Sequence, residues 1–300
     1  MDDLTRSVIY DVVNQISLVN NGTVAANPIH LVVALIPNII PYQKVISIDL
    51  NPQCTEYLSD VFGNRYAKFV FVNDLNSGAN IGVQIQYQVE VTGQHFDLGQ
   101  SNGMPINESI NSERFIQSDA KPIIDLAKRL SQGRNGIIEK SKAFYNFVAD
   151  NMHYAGYDPK DIGALMALER LSGDCVEYSD LLVALNRAAD IPARTIEGLT
   201  GCTSQGYDPG NNKHCWLEVN FPGIGWVPVD PTWGRHLQNR ATYFGNMTPD
   251  HIIVTRGRNL APLNPLRDIN GHYFAYQYWG KGEIKPELKH DERWSIQLPR

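Results

Sequence analysis

The chain has 300 residues, of which 43% are hydrophobic and 19% are charged, a composition typical of one large or two ordinary globular domains. Its net charge of −6 gives no reason to expect a surface that binds nucleic acid or a membrane. Its apolar runs are far shorter than the ~20 residues that a transmembrane helix needs. The composition therefore argues against a disordered, fibrous or helical membrane protein.

The N-terminal stretch MDDLTRSVIYD has neither the basic start nor the apolar core of a signal peptide. We therefore expect a cytoplasmic protein, although a secreted chain trimmed of its signal would begin in the same way. The four cysteines are too few and too scattered for a disulfide framework, and no CxxC pair occurs, so we expect no metal and no cofactor. They are Cys54, Cys175, Cys202 and Cys215.

Residues 1–105 are predicted to form an N-terminal β-sandwich. The clearest strand, IGVQIQYQVEV at residues 81–91, alternates apolar residues with polar residues or Gly, a pattern typical of one buried and one solvated face. Several short strands separated by turn residues are typical of a sandwich. The further strand candidates are residues 7–19, 29–37, 44–50 and 66–74.

Residues 106–300 are predicted to form a second, α+β domain after a polar linker within residues 93–120. The hydrophobic period changes to 3.6 there, which predicts four helices over residues 122–133, 136–152, 161–171 and 175–189. Strands are then predicted at residues 193–199, 214–221, 225–231, 251–255, 272–279 and 292–298. Helices followed by strands favour helices packed on an antiparallel sheet. The polar stretch 200–213 is predicted to be a loop that acts as a lid.

The first candidate for a reactive side chain lies at the start of the fourth predicted helix. Asp174 and Glu177 form a D-x-x-E capping pattern, which predicts Cys175 as the first helical residue. Unpaired N–H groups and the helix dipole stabilise a thiolate there, and the same N–H groups could bind an oxyanion. The two carboxylates oppose the thiolate, so a cationic histidine is needed beside it.

The predicted hairpin supplies that histidine. His214 opens one strand and Asp230 closes the other, and a Pro-Gly turn between the strands would bring the two residues almost opposite each other. An Asp bonded to one imidazole nitrogen fixes the tautomer and leaves the other nitrogen for the cysteine. This arrangement is typical of nucleophilic acyl transfer.

Three motifs in this order resemble the transglutaminase-like (papain-like) superfamily. They are GDCVEYSDLLVALNRAADIPAR, HCWLEV and GWVPVDPTWG, with the match spanning about residues 136 to 235. The β-rich N-terminal segment resembles the domain that precedes this core in prokaryotic members. Two departures are Asp190, where many relatives have Gly, and Cys215, where a smaller residue is more common.

The resemblance implies a catalytic triad of Cys175, His214 and Asp230 and a thioester acyl-enzyme formed from a peptide or amide substrate. Hydrolysis by water is the leading function; transfer to an amine, as in a transglutaminase or amide-forming acyltransferase, is one alternative, and a non-catalytic binding scaffold is another. Tyr154, Trp216 and Trp233 are candidates for an oxyanion or pocket role. No nucleic-acid or membrane partner is expected, and the oligomeric state is left open.

Other readings of these residues carry less weight. His153 is an alternative histidine without an evident Asp partner, and a metal site of Cys175, His214 and Cys215 is disfavoured because adjacent strand residues point to opposite faces. Cys215 is therefore expected to be a core thiol. Arg187 and Arg194 are expected to pair with acidic residues such as Glu197.

Overall fold

The computed structural model describes residues 6–101, 103, 106, 111–158, 160–202, 212–258, 260, 277–280 and 288–298. Within these residues the chain forms sixteen strands and four α-helices. In chain order they are β1 (Ser7–Asn20), β2 (Ile29–Leu35), β3 (Gln43–Asn51), β4 (Glu56–Ser59), β5 (Arg65–Phe71), β6 (Asn80–Thr92), β7 (Gln94–His95), α1 (Lys121–Ser131), α2 (Ile137–Asn151), β8 (His153–Tyr154), α3 (Gly163–Arg170), β9 (Ser172–Gly173), α4 (Cys175–Arg187), β10 (Ala193–Thr200), β11 (Lys213–Phe221), β12 (Gly225–Val229), β13 (Asn246–Met247), β14 (His251–Arg256), β15 (Gln277–Gly280) and β16 (Leu288–Gln297).

The N-terminal part is the predicted β-sandwich. One antiparallel sheet has the order β16-β1-β6-β3 and the other the order β15-β2-β5-β4. Alternate residues of β6, from Val83 to Val91, are buried as the period of two predicted. Both sheets contribute side chains to one apolar core, which includes Tyr10, Leu31, Phe69 and Ile85.

The end of the chain differs from the predicted division into residues 1–105 and 106–300. Strand β16 pairs with β1 and strand β15 pairs with β2, so both lie in sheets of the sandwich. A local alternation pattern predicts a strand but does not say which open sheet edge the strand will cover. The other residues of the predicted strand 272–279, residues 272–276, lie outside the described part of the chain.

The second part is α+β, as predicted. Its antiparallel sheet has the order β12-β11-β10-β14, and helix α4 packs on β11 and β10 while α1, α2 and α3 contact α4. Apolar residues of the helices and of β11 and β12 form a second core, which includes Phe144, Leu181, Leu217 and Val229. None of the helices in the described residues is long and apolar enough to cross a membrane. The centre of the predicted lid, residues 203–211, lies outside the described residues.

Strand β14 joins the two parts, because its free edge is bonded by amide side chains from the sandwich. Gln43 accepts a hydrogen bond from the Ile253 N–H (2.7 Å) and donates to the carbonyls of Ile253 (2.8 Å) and Pro37 (2.9 Å). Asn64 accepts from the Arg256 N–H and donates to the Arg256 carbonyl, both at 2.8 Å. These amides replace a neighbouring strand and satisfy the backbone groups of a sheet edge.

Replacing Gln43 by Met should destabilise the junction while keeping the side chain's approximate size. Three buried backbone groups would lose their partner, so we expect a loss of about 3 kcal/mol in the free energy of unfolding. Urea unfolding followed by circular dichroism measures the change. Gln86→Met, at an exposed position of β6, is the control. Equal stability of the two variants would contradict the assigned role of Gln43.

Candidate active site

The start of helix α4 contains the predicted capping box. The Asp174 side chain accepts a hydrogen bond from the Val176 N–H at 2.8 Å, and the Glu177 side chain accepts from the Asp174 N–H at 3.1 Å. These bonds satisfy backbone donors that the helix itself leaves unpaired. They fix Cys175 as the first residue of the helix, with its side chain only partly exposed.

The surroundings of Cys175 favour the neutral thiol. Burial raises its pKa well above the ordinary value, and the carboxylates of Asp174 and Glu197 act in the same direction. The backbone N–H of Cys215 donates a hydrogen bond to the sulfur and lowers the pKa in part. Because Cys215 directly follows His214, this bond brings the thiol next to the strand that carries the predicted histidine.

The acidic residues act on Cys175 differently from the prediction. Burial, followed by Asp174, raises the pKa of Glu177 to about 7, so this group is partly neutral near neutral pH. Burial also holds the pKa of Glu197 well above its usual range, although Arg258 and the Cys215 thiol lower it. Asp174 is therefore the carboxylate at the helix start that most opposes a thiolate. The sequence did not predict that Glu197 raises the pKa of Cys175, because this effect depends on how β10 packs against α4.

His214 and Asp230 meet as the hairpin pattern predicted. Nε2 of His214 lies 2.8 Å from Oδ2 of Asp230, and both side chains are buried. The other oxygen, Oδ1, accepts the backbone N–H groups of Thr232 (2.8 Å) and Trp233 (3.0 Å). Burial alone would raise the pKa of Asp230, but His214 and His251 hold it well below its usual range. Since Nε2 is engaged by the carboxylate, Nδ1 of His214 is the nitrogen left for the thiol.

Aromatic side chains fix the His214 ring. Trp216 is stacked beside it with ring centroids 5.7 Å apart and an interplanar angle of 28°, and Trp233 approaches at 6.1 Å. Gly198 on β10 makes room for this packing, because a Cβ there would collide with the Trp216 ring. Trp216 is thus a buried support for the histidine rather than a wall of an open pocket.

Tyr154 and Trp233 line an open cleft of about 420 Å³ together with His214, Thr232 and Arg235. Tyr154 is 37% exposed, and the Arg235 guanidinium lies 4.7 Å from the centre of its ring. Burial, with Cys175 and Asp174, raises the pKa of Tyr154 to about 12, so its hydroxyl keeps its proton and can donate a hydrogen bond. His153, the alternative histidine, is exposed on β8.

Arg187 and Arg194 pair with acidic residues as predicted, but the acids are Glu113 and Glu218 rather than Glu197. Arg187 bonds Glu113 at 2.6 Å, and Arg194 bonds Glu218 at 2.7 Å. Glu197 instead lies opposite Cys215 in the sheet and faces the buried Arg258, whose own bonds run to Asp180 at 3.2 Å. The predicted partner, Glu197, lies close to both arginines along the chain. The partners in the structure are 74 residues from Arg187 and 24 residues from Arg194.

A second histidine at Asp230 was not predicted. His251, the first residue of β14, has Nε2 3.5 Å from Oδ2 of Asp230 and Nδ1 2.7 Å from Oδ1 of Asp250. The only local signal is the pair Asp250-His251 at the head of a strand-like run. Its approach to Asp230 depends on the pairing of β14 with β10, which no local pattern specifies.

The donor atoms of His214, Asp230 and His251 lie within 4.8 Å of one another, a spacing that could hold a metal ion. The bonding of the three side chains does not fit a metal. Burial lowers the pKa of His251, but Asp250 and Asp230 outweigh it and raise the value to about 9, which favours a ring without a free nitrogen lone pair. Asp230 already accepts three hydrogen bonds, from His214, Thr232 and Trp233. Cys215 is fully buried, with its sulfur 3.8 Å from the Trp216 carbonyl, in agreement with a core thiol.

Comparison with known proteins identifies the class to which this fold and site belong. Residues 124–231 match the model of the transglutaminase-like superfamily. The chain folds like a candidate cysteine protease from Cytophaga hutchinsonii, with a TM-score of 0.64, 16% sequence identity, and coverage of 98% of this chain and 91% of that chain. At this identity the likeness concerns the fold, and it includes the β-sandwich. Residues 124–231 thus form a core of the transglutaminase-like superfamily.

Curated relatives match over shorter stretches. The uncharacterized protein YebA of Bacillus subtilis is 32% identical over 158 residues, which cover 46% of this chain and 21% of YebA. A protein-glutamine gamma-glutamyltransferase of Pseudomonas aeruginosa is 36% identical over 70 residues, which cover 21% of this chain and 10% of that protein. The chain therefore spans about a fifth of YebA and a tenth of the glutamyltransferase.

Replacing Asp174 by Asn should make Cys175 more reactive. Asn is as good an N-cap as Asp but removes the negative charge, so a larger fraction of the thiol is ionised. Allowing for the lower nucleophilicity of a more acidic thiol, we expect alkylation of Cys175 by iodoacetamide at pH 7 to become about threefold faster. Peptide mass spectrometry measures the rate. Asp158→Asn, an exposed carboxylate nearby, is the control. An unchanged or slower rate in Asp174→Asn would contradict the charge argument.

Proposed function

We propose that the protein hydrolyses amide or peptide bonds through a thioester on Cys175, with His214 as the base and Asp230 as the group that orients it. The observation that carries the proposal is the 2.8 Å bond between Nε2 of His214 and Oδ2 of Asp230. It fixes one tautomer of a buried imidazole and leaves Nδ1 as an acceptor on the strand that also bonds the Cys175 sulfur. A strand histidine with only a packing role would not need this bond.

The proposed reaction begins from the neutral thiol. Because the pKa of Cys175 is raised, proton transfer to Nδ1 of His214 would accompany attack of the sulfur on the carbonyl carbon. The imidazolium would then give the proton to the leaving nitrogen as the carbon–nitrogen bond breaks. A water molecule, deprotonated by His214, would cleave the thioester and release the acid and the free thiol.

Two groups are suited to stabilise the oxyanion. The backbone N–H of Cys175 belongs to the first turn of α4, where helix donors are unpaired and the dipole is positive. The Tyr154 hydroxyl lies in the same cleft as His214 and remains protonated. Both donors are held before substrate arrives, which is what effective transition-state stabilisation requires.

Amine transfer is the second candidate, supported by the similarity of part of the chain to a protein-glutamine gamma-glutamyltransferase. Both reactions pass through the same thioester and differ only in the acceptor. The discriminating measurement adds a primary amine to a reaction of a glutamine-containing peptide and follows the products by mass spectrometry. Hydrolysis alone gives the acid, whereas transfer gives the amide in proportion to the amine.

Cys175→Ala and His214→Ala should abolish turnover, and Asp230→Asn should lower kcat by about 10⁴, the size of the effect of the equivalent change in a serine protease. The substrate is found by incubating the protein with a peptide and amide library and detecting a thioester adduct by intact-mass spectrometry. Cys54→Ala, in the sandwich, is the control and should keep full activity. Full activity of Cys175→Ala or His214→Ala on a validated substrate would rule out this mechanism.

Tyr154→Phe should lower kcat by about 10²-fold with little change in KM, because an oxyanion donor acts in the transition state. Tyr157→Phe is the control, since Tyr157 is 66% exposed. Steady-state kinetics on the validated substrate measures both constants. A kcat equal to that of the control would assign Tyr154 to the wall of the cleft alone.

A further inference from the structure

Asp230 serves two histidines through one oxygen. Oδ2 lies 2.8 Å from Nε2 of His214 and 3.5 Å from Nε2 of His251. The other ring nitrogen of His251, Nδ1, lies 2.7 Å from Oδ1 of Asp250. The four groups thus contact one another in the order Asp250–His251–Asp230–His214, and His214 directly precedes Cys215, whose backbone contacts Cys175.

The His251 ring is held firmly. It is 2% exposed, and its ring packs edge-on against Trp216 at 5.1 Å. Trp233 and Tyr243 each approach it at 5.7 Å. Asp250, which bonds its far nitrogen, also accepts a hydrogen bond from the Thr248 hydroxyl. An exchange of partners by His251 would therefore require repacking of a dense aromatic cluster.

The charges around His251 favour its cationic form. Asp250 faces it from its own segment, Asp230 from the loop after β12, His214 from β11 at 5.7 Å between ring centroids, and Tyr243 from the segment before β13. Two of these four groups are carboxylates, and no lysine or arginine bonds to this ring in the described part of the chain. Burial lowers the pKa of His251, yet Asp250 and Asp230 raise it to about 9.

We infer that His251 and Asp250 are positioning residues that hold a fixed positive charge against Asp230 and so keep His214 neutral and able to act as a base. The inference rests on the proposed function of His214 and Asp230. An unshared Asp230 carboxylate, buried next to an imidazole, would favour the protonated form of His214. A protonated His214 cannot accept the proton of the Cys175 thiol. The cation on His251 offsets part of that attraction.

The effect should be large for such a pair. Two charges about 6 Å apart at the edge of a protein interior interact strongly enough to move a titration by about 1 to 2 pH units. Loss of the His251 charge should therefore move the protonation midpoint of His214 upward by that amount. The acid limb of the pH profile of kcat/KM should move with it, because this limb reports the base of the free enzyme.

Two variants test the inference. His251→Gln keeps a donor of similar reach but removes the charge, and His251→Asn does the same with a shorter side chain. His95→Gln, on β7 and bonded to Asn246 on β13, is the matched control. The first readout is the NMR titration of the His214 ring protons, which needs no substrate. The second is the pH profile of kcat/KM on a validated substrate.

We expect the His214 midpoint to rise by about 1 to 2 pH units in His251→Gln and in His251→Asn, and to stay unchanged in His95→Gln. A midpoint that is unchanged or lower in a folded His251→Gln or His251→Asn variant would overturn the inference; if His251→Gln does not fold, His251→Asn decides alone. A raised midpoint in the variants, together with no turnover of any substrate by the wild type, would leave the coupling intact and reject the proposed function instead.

Discussion

The buried carboxylate of Asp230 is the group on which the geometry of the site depends. It has no exposed surface. One oxygen accepts two backbone N–H groups, and the other lies 2.8 Å from Nε2 of His214 and 3.5 Å from Nε2 of His251. A buried carboxylate is stable only when its charge is compensated. Here the compensation comes from three separate segments, namely β11, the turn after β12 and the start of β14. The relative positions of these three segments therefore depend on the negative charge of Asp230.

The sandwich contributes to the site through β14. Gln43 and Asn64 bond the free edge of this strand, Tyr10 donates to the Pro249 carbonyl, and Ile252 packs into the sandwich core. His251 begins the same strand, two residues from the Ile253 backbone that Gln43 holds. The N-terminal domain therefore supports the position of a residue next to Asp230. The sandwich and the α+β core also occur together in the candidate cysteine protease of similar fold, whose alignment covers 98% of this chain. The contacts of β14 offer a physical reason for this combination.

The part of the structure that depends on local chemistry could be predicted from the sequence. The capping pattern of Asp174 and Glu177 defined the start of α4, and the hairpin pattern brought His214 to Asp230. Period-two alternation defined β6, and the shift to a period of 3.6 defined the helices. Each of these signals lies within about twenty residues of chain, where periodicity and turn chemistry determine which residues meet.

The part that depends on long-range pairing could not be predicted. Strands β15 and β16 were recognised as strand-like runs, but their return to the sandwich depends on open edges more than 200 residues earlier in the chain. His251 and Glu197 reach the site through sheet neighbours that local patterns do not specify. Both modify the charge around the predicted triad. The residues proposed for the chemical step were thus predictable from local patterns, whereas the residues that act on them electrostatically were not.

The central claim is that Asp230 holds neutral His214 with its proton on Nε2, leaving Nδ1 as the acceptor for the Cys175 thiol. Nitrogen-15 NMR of protein labelled at histidine, recorded above the titration range of His214, tests it directly because the two ring nitrogens of a neutral imidazole have distinct shifts. The account predicts the Nε2–H tautomer in the wild type and its loss in Asp230→Asn. A wild-type His214 with its proton on Nδ1 would contradict the account.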